Sequence, residues 1–152
     1  PSLVAAVNLD MPVILYDFAD VIAFGAQHSS LQQVVESGPE RAGLTLTPDP
    51  MPEQAVFTRS DHYRFVEQGV PSIFLSTGWN TAAGAGEGGK VFHQFLPNTY
   101  HRPSDDLTQA IDFEAGAKFA RVNYEILKAI ADADARPSWK DGDFFGTLFA
   151  PR

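Results

Sequence analysis

With 152 residues, 44% of them hydrophobic and 20% charged, the chain has the size and make-up of one globular domain able to bury a core. A formal net charge of −8, with no cluster of Lys and Arg, argues against a nucleic-acid or anionic-membrane surface. No apolar run approaches the roughly 18 residues of a membrane span, and the absence of cysteine excludes disulfides, thiolate metal sites and cysteine nucleophiles.

The chain opens at Pro1, without a methionine, and enters the apolar run "LVAAVNLD" almost at once. This abrupt start reads as a piece cut from a longer protein. Leu3 to Leu9 are apolar and partly β-branched, a buried strand that ends at Asp10. "VILYDF" and "DVIAFGA" follow as two more strands, with Asp17 to Asp20 as the turn of a hairpin. Ser29 or Ser30 then suits the N-cap of a helix whose apolar face is Leu31, Val34 and Val35. Gly38-Pro39 is expected to interrupt or end that helix. "LTLT" reads as a short strand and "PDPMPEQ" as a proline-rich surface loop.

The stretch "FTRSDHYRFVEQGVPSIFLSTG" is the most orderly. Ser60 suits an N-cap, Asp61 complements the positive end of the dipole, and Gly69 suits the C′ position, which makes a helix of about two turns. "PSIFLST" reads as a strand buried on both faces. Gly78 to Gly89 form a glycine-rich loop of the functional or mobile kind. A helix from about Phe113 to Asp134 carries Glu114, Lys118, Arg121, Glu125, Lys128 and Asp132 on one narrow polar stripe. Its wide apolar arc is expected to pack on a sheet and to touch a second element. The aromatic tail "RPSWKDGDFFGTLFAPR" either folds back over the core or meets a partner. Strands alternating with helices point to an α/β layered fold, and the hairpin makes its sheet mixed.

In such folds ligands gather beyond the carboxyl ends of the strands. Asp10 follows its strand directly, and the loops after Leu75 carry the chain toward His101 in "TYHRPSDDL". A carboxylate and an imidazole arriving at one sheet edge are reasonable zinc ligands. Each also has a plainer reading, Asp10 as a cap or turn residue and His101 as an ordinary loop histidine. Asp61 and His62 form a further candidate pair that helix capping would equally explain. Asp105 and Asp106 look like helix-start residues, whereas His28 and His93 have no acidic neighbours and read as structural.

Taken in order, "NLDMP", "FTRSDHYRFVEQGVPSIFLSTG" and "TYHRPSDDL" resemble the C-terminal half of the M28 family of zinc aminopeptidases, from about Val4 to Ile130. The resemblance implies a three-layer α/β/α sandwich with a mixed, mostly parallel sheet, of which residues 1–152 are the C-terminal portion. It implies that Asp10 binds one of two zinc ions and His101 the other. Asp61 takes a supporting or substrate-orienting role, and His62 belongs to the same motif. Phe65, Tyr100 and the glycine-rich loop would shape a pocket for the N-terminal side chain of a peptide substrate. The family's H-x-D motif and Glu-Glu pair are absent from this chain. The general-base glutamate is therefore expected upstream, and the chain alone is expected to be inactive. Two other functions fit the same motifs: cyclisation of N-terminal glutamine with a single zinc, and a metal-free binding module on the same fold. A periplasmic or secreted location is the family-level expectation, while side-chain preference and oligomeric state stay open.

Overall fold

The computed structural model describes residues 3–150. Its centre is a four-stranded sheet in the order β1 (Ala6–Asn8), β4 (Ser72–Thr77), β2 (Asp20–Phe24), β3 (Thr45–Thr47). The outer pairs are parallel, and the central pair is antiparallel, with Val21 opposite Thr77 and Phe24 opposite Phe74. The sheet is mixed and mostly parallel, as expected, but its antiparallel pair is not the expected one.

Val13 to Phe18 form no strand and no hairpin with β2. Their polar groups find distant partners instead. The Val13 carbonyl accepts from Thr77 Oγ1 at 3.3 Å, and the Ile14 carbonyl accepts from Asp112 N at 2.8 Å. Tyr16 donates its hydroxyl to the Gly78 carbonyl at 2.9 Å. Val13, Tyr16 and Phe18 are all buried by this path across the end of the sheet. A hairpin would have to break those bonds and expose those side chains.

Alternation along the strands divides the core. Val21, Ile73 and Leu75 face helices α1 (Leu31–Arg41) and α4 (Phe113–Ala131). Leu31 and Val35 of α1 and Phe119, Val122 and Ile126 of α4 complete this layer, each at 4% exposure or less. Burial on that scale stabilises by roughly 1.5–3 kcal/mol per large side chain. The helix α1 continues through Gly38-Pro39, against expectation. Gly38 lies against Ile126, where a Cβ would overlap the isoleucine side chain. Pro39 falls in the last turn, so its ring disturbs little of the helix ahead of it. Its carbonyl then accepts from Ala42 N and Leu44 N, each at 2.9 Å, and closes the helix. Helix α4 starts on Asp112, whose side chain accepts from Ala115 N at 2.8 Å. Asp105 and Asp106 do not start it. They organise a turn, in which Asp106 accepts from Thr108 N at 2.8 Å and Asp105 accepts from Gln109 Nε2 at 2.6 Å.

On the opposite face, Ile22, Phe24 and Phe74 pack with Phe57, with Val66 of α2 (Tyr63–Val66) and with Phe145 of α5 (Phe144–Phe149). The tail therefore folds back over the core. Trp139 Nε1 donates to the Gly69 carbonyl at 2.9 Å, and Asp143 caps α5 while meeting His28 Nδ1 at 2.7 Å. Between β4 and α4 lies α3 (Glu87–Asn98), which begins inside the stretch expected to be loop. Gly88 and Gly89 sit in its first turn because Tyr16 and Trp79 approach too closely for a side chain. No helix among the described residues is long and apolar enough to cross a membrane.

Candidate functional site

Because β1 and β4 are parallel, both end at the same edge of the sheet, where the antiparallel β2 begins. A cavity of about 520 Å³ opens at this edge and runs along the sheet face that carries Ile22, Phe24, Phe74 and Ser76. Asp10 and Met11 enter it from the end of β1, and Trp79 from the end of β4. Phe92, His93 and Leu96 of α3 and the following Tyr100 form another wall, and Arg59 and Ser60 complete the rim.

Asp10 is exposed at this rim. Its Oδ2 accepts from Ser60 Oγ at 2.7 Å, and Ser60 Oγ in turn accepts from Asn8 Nδ2 at 2.9 Å. Ser60 was expected to cap a helix of about two turns, yet α2 is a single turn whose N-cap position is His62, with no side-chain cap. The hydroxyl is engaged by Asp10 and Asn8 and so is not spent on capping. Gly69 does close the turn as expected, with φ +78° and its N–H on the Val66 carbonyl at 2.8 Å.

His62 is buried, at 2% exposure, between the rings of Phe57 and Phe74. Its Nε2–H donates to the Phe57 carbonyl at 2.5 Å, which leaves Nδ1 to accept from Asn8 Nδ2 at 3.3 Å. These partners select one neutral tautomer. Burial pushes the ring below its ordinary pKa, against the opposing influence of the Phe57 carbonyl, Asp10 and Asp61. With both nitrogens engaged inside the protein, His62 has none to offer a metal. Its work is to brace Asn8, and through Asn8 the Ser60 hydroxyl that meets Asp10.

The remaining sequence candidates divide. Tyr100 lines the cavity. His101 is exposed beside it, its ring stacked on Tyr100 with centroids 3.7 Å apart. The His101 backbone is left-handed, with φ +57°, a conformation that costs a side-chain-bearing residue roughly 1–2 kcal/mol. Asp61 is exposed next to His62. Phe65, expected in the pocket wall, is 41% exposed on α2 and is not among the residues lining the cavity. His93, whose sequence neighbours suggest a structural role, does line it, edge-on to Trp79 at 5.0 Å. Sequence reasoning also misses Ser60 as the partner of Asp10 and Asn8 as the partner of Ser60. The "NLD" and "SDH" motifs held the signal, since each places a short polar side chain two positions before a candidate site residue.

Carboxylate oxygen and imidazole nitrogen are the donors that zinc takes, so Asp10 and His101 suit it in kind. In number they fall short of the three or four protein ligands of a zinc site. Among the described residues, no group of three or more His, Cys, Asp or Glu stands close enough together to hold a metal ion. This stretch of chain does not complete such a site by itself.

Searches of curated proteins and of solved structures returned no match. Among protein families, the model of peptidase family M28 matches residues 2–127. The match spans most of the chain and contains β1, the "SDH" turn, β4, the cavity and the Tyr100–His101 pair, and so the chain belongs to peptidase family M28.

Proposed function

We propose that the chain is the C-terminal portion of an M28-type catalytic domain that removes N-terminal residues from peptides at a dinuclear zinc site. Asp10 and His101 would each hold one metal ion, and the general-base glutamate and the remaining ligands would come from upstream sequence. The observation that supports this most is the cavity at the carboxyl ends of β1 and β4. Asp10 sits at its rim with an oriented carboxylate, and Tyr100, which lines it, stacks on the ring of His101. When bound, paired zinc ions polarise the scissile carbonyl and lower the pKa of bound water to about 7. This chain's own residues act around that chemistry. Ser60 fixes the Asp10 carboxylate, and the aromatic walls exclude water from an apolar side chain of the substrate.

The test is hydrolysis of leucine p-nitroanilide, with and without chelator, by the 152-residue chain and by the protein extended upstream. The expected result is no turnover by the chain and chelator-sensitive turnover by the extended protein. Chelator-sensitive turnover by the chain alone would overturn the upstream-base assignment. An inert extended protein that binds zinc, or one that only cyclises N-terminal glutamine, would overturn the aminopeptidase reading.

A further inference from the structure

Asp20 is 1% exposed at the first position of β2, and among the described residues no Lys, Arg or His pairs with it. A buried carboxylate is costly unless donors satisfy it, and here neutral donors do so. Oδ1 accepts from Asn80 N at 2.8 Å, and Oδ2 accepts from Asn80 Nδ2 at 2.8 Å and from Thr47 Oγ1. The Asp20 carbonyl also accepts from Gly78 N at 2.7 Å. Gly78 lies so close to the carboxylate that a Cβ there would overlap it.

Most of these bonds go to one loop, and the loop passes them on. Asn80 Oδ1 accepts from Gly86 N, at the N-cap of α3, at 3.2 Å. Trp79, held between Gly78 and Asn80, accepts from Gly88 N through its carbonyl at 2.9 Å. Its indole lies against Gly89, where a Cβ would stand 2.8 Å from Cε3, and against Phe92 with centroids 5.8 Å apart. The Asp20 carboxylate thus sits behind the cavity wall and ties down both the residue and the helix that form it.

We propose that Asp20 is a positioning residue which, through Asn80, fixes Trp79 and the start of α3 as the wall that receives the apolar N-terminal side chain of the substrate. The substrate half of this statement rests on the aminopeptidase reading above; the positioning half does not. The test uses the chain itself in a Trp139→Phe background, so that Trp79 is the only indole. Emission maximum, acrylamide quenching and the Kd for leucine p-nitroanilide, read from quenching of Trp79, are compared across variants. Asp20→Asn keeps the shape but turns an amide toward the Asn80 amide. It is expected to red-shift Trp79, raise its acrylamide quenching and weaken the nitroanilide by about tenfold. The exchange Asp20→Asn with Asn80→Asp restores complementary donors and acceptors. It is expected to return emission and Kd to within about twofold of the parent.

Thr47→Val separates positioning from a purely structural role, because Thr47 donates from β3 to the same carboxylate and to the Val21 carbonyl rather than to the loop. It is expected to lower the melting temperature while leaving Trp79 unchanged. Should Asp20→Asn fail to fold, Asn80→Ser removes the same link from the loop side and is expected to move Trp79 in the same direction. Unchanged Trp79 emission in Asp20→Asn or Asn80→Ser would overturn the proposal, as would an exchange variant no better than the single one. If the unsubstituted chain does not bind the nitroanilide, the substrate class fails, and the emission series still decides the positioning.

Discussion

Ser60 Oγ donates to Asp10 Oδ2 at 2.7 Å, across fifty positions of sequence. The same hydroxyl accepts from Asn8, whose amide also reaches the buried His62, so the carboxylate orientation is set from two segments at once. A carboxylate with one oxygen held in this way presents the other in a defined direction. Ser60→Ala is therefore expected to lower the zinc affinity contributed by Asp10 by roughly 10–100-fold. A competition titration against a zinc-binding dye measures this. Equal affinity in both proteins would show that Ser60 does not orient the carboxylate.

His62 makes stability depend on pH in a stated direction. Its folded-state pKa lies below the ordinary value, so between that pKa and about 6.5 the unfolded chain binds more protons than the folded one. The contribution is fully present above about 6.5 and is lost as pH falls through the folded pKa. Urea midpoints measured from pH 7.5 down to 5 are expected to fall, and to fall less steeply in His62→Gln, whose amide still donates toward the Phe57 carbonyl. Parallel pH profiles for the two proteins would refute the assignment.

Gly38→Ala sets two effects against each other. Helix propensity alone favours alanine by about 1 kcal/mol. Overlap with Ile126 opposes it, because α1 and α4 are in direct contact at that point. Overpacking of a buried contact typically costs about 1–3 kcal/mol, so the variant is expected to be less stable. A more stable Gly38→Ala, by chemical denaturation, would mean that the helices do not meet so closely.

The tail is held by Asp143, which accepts from Phe145 N and Gly146 N and also meets His28. Asp143→Ala is expected to lose about 1–2 kcal/mol and to expose the α5 amides to exchange. Asp143→Asn keeps the cap and is expected to lose less. Identical exchange of α5 amides in all three proteins would show that the cap does not hold the tail.

The parts of this molecule legible in its sequence are those whose local pattern and tertiary setting agree. The apolar runs of β2 and β4, the long periodic helix α4 and the positive φ of Gly69 all follow from side-chain type and spacing. The unread parts are those where a distant partner decides. Val13 to Phe18 have strand composition, but Thr77, Gly78 and Asp112 claim their polar groups. Gly88 and Gly89 look like loop residues, and only the rings of Tyr16 and Trp79 explain glycines inside a helix. At the site, Asp10 and Tyr100 stood out by motif, whereas the contribution of Ser60 was hidden behind its equal fitness as a helix cap.

The most direct test of the metal assignment is to label the histidine rings with nitrogen-15 and titrate the protein extended upstream with zinc, first unsubstituted and then as Asp10→Asn. Zinc is expected to shift the His101 ring nitrogens, to leave the enclosed His62 ring where it was, and to bind as two ions in the unsubstituted protein but with lower stoichiometry once Asp10 is neutralised. A His101 ring indifferent to saturating zinc, or the same number of zinc ions bound in both proteins, would contradict the assignment.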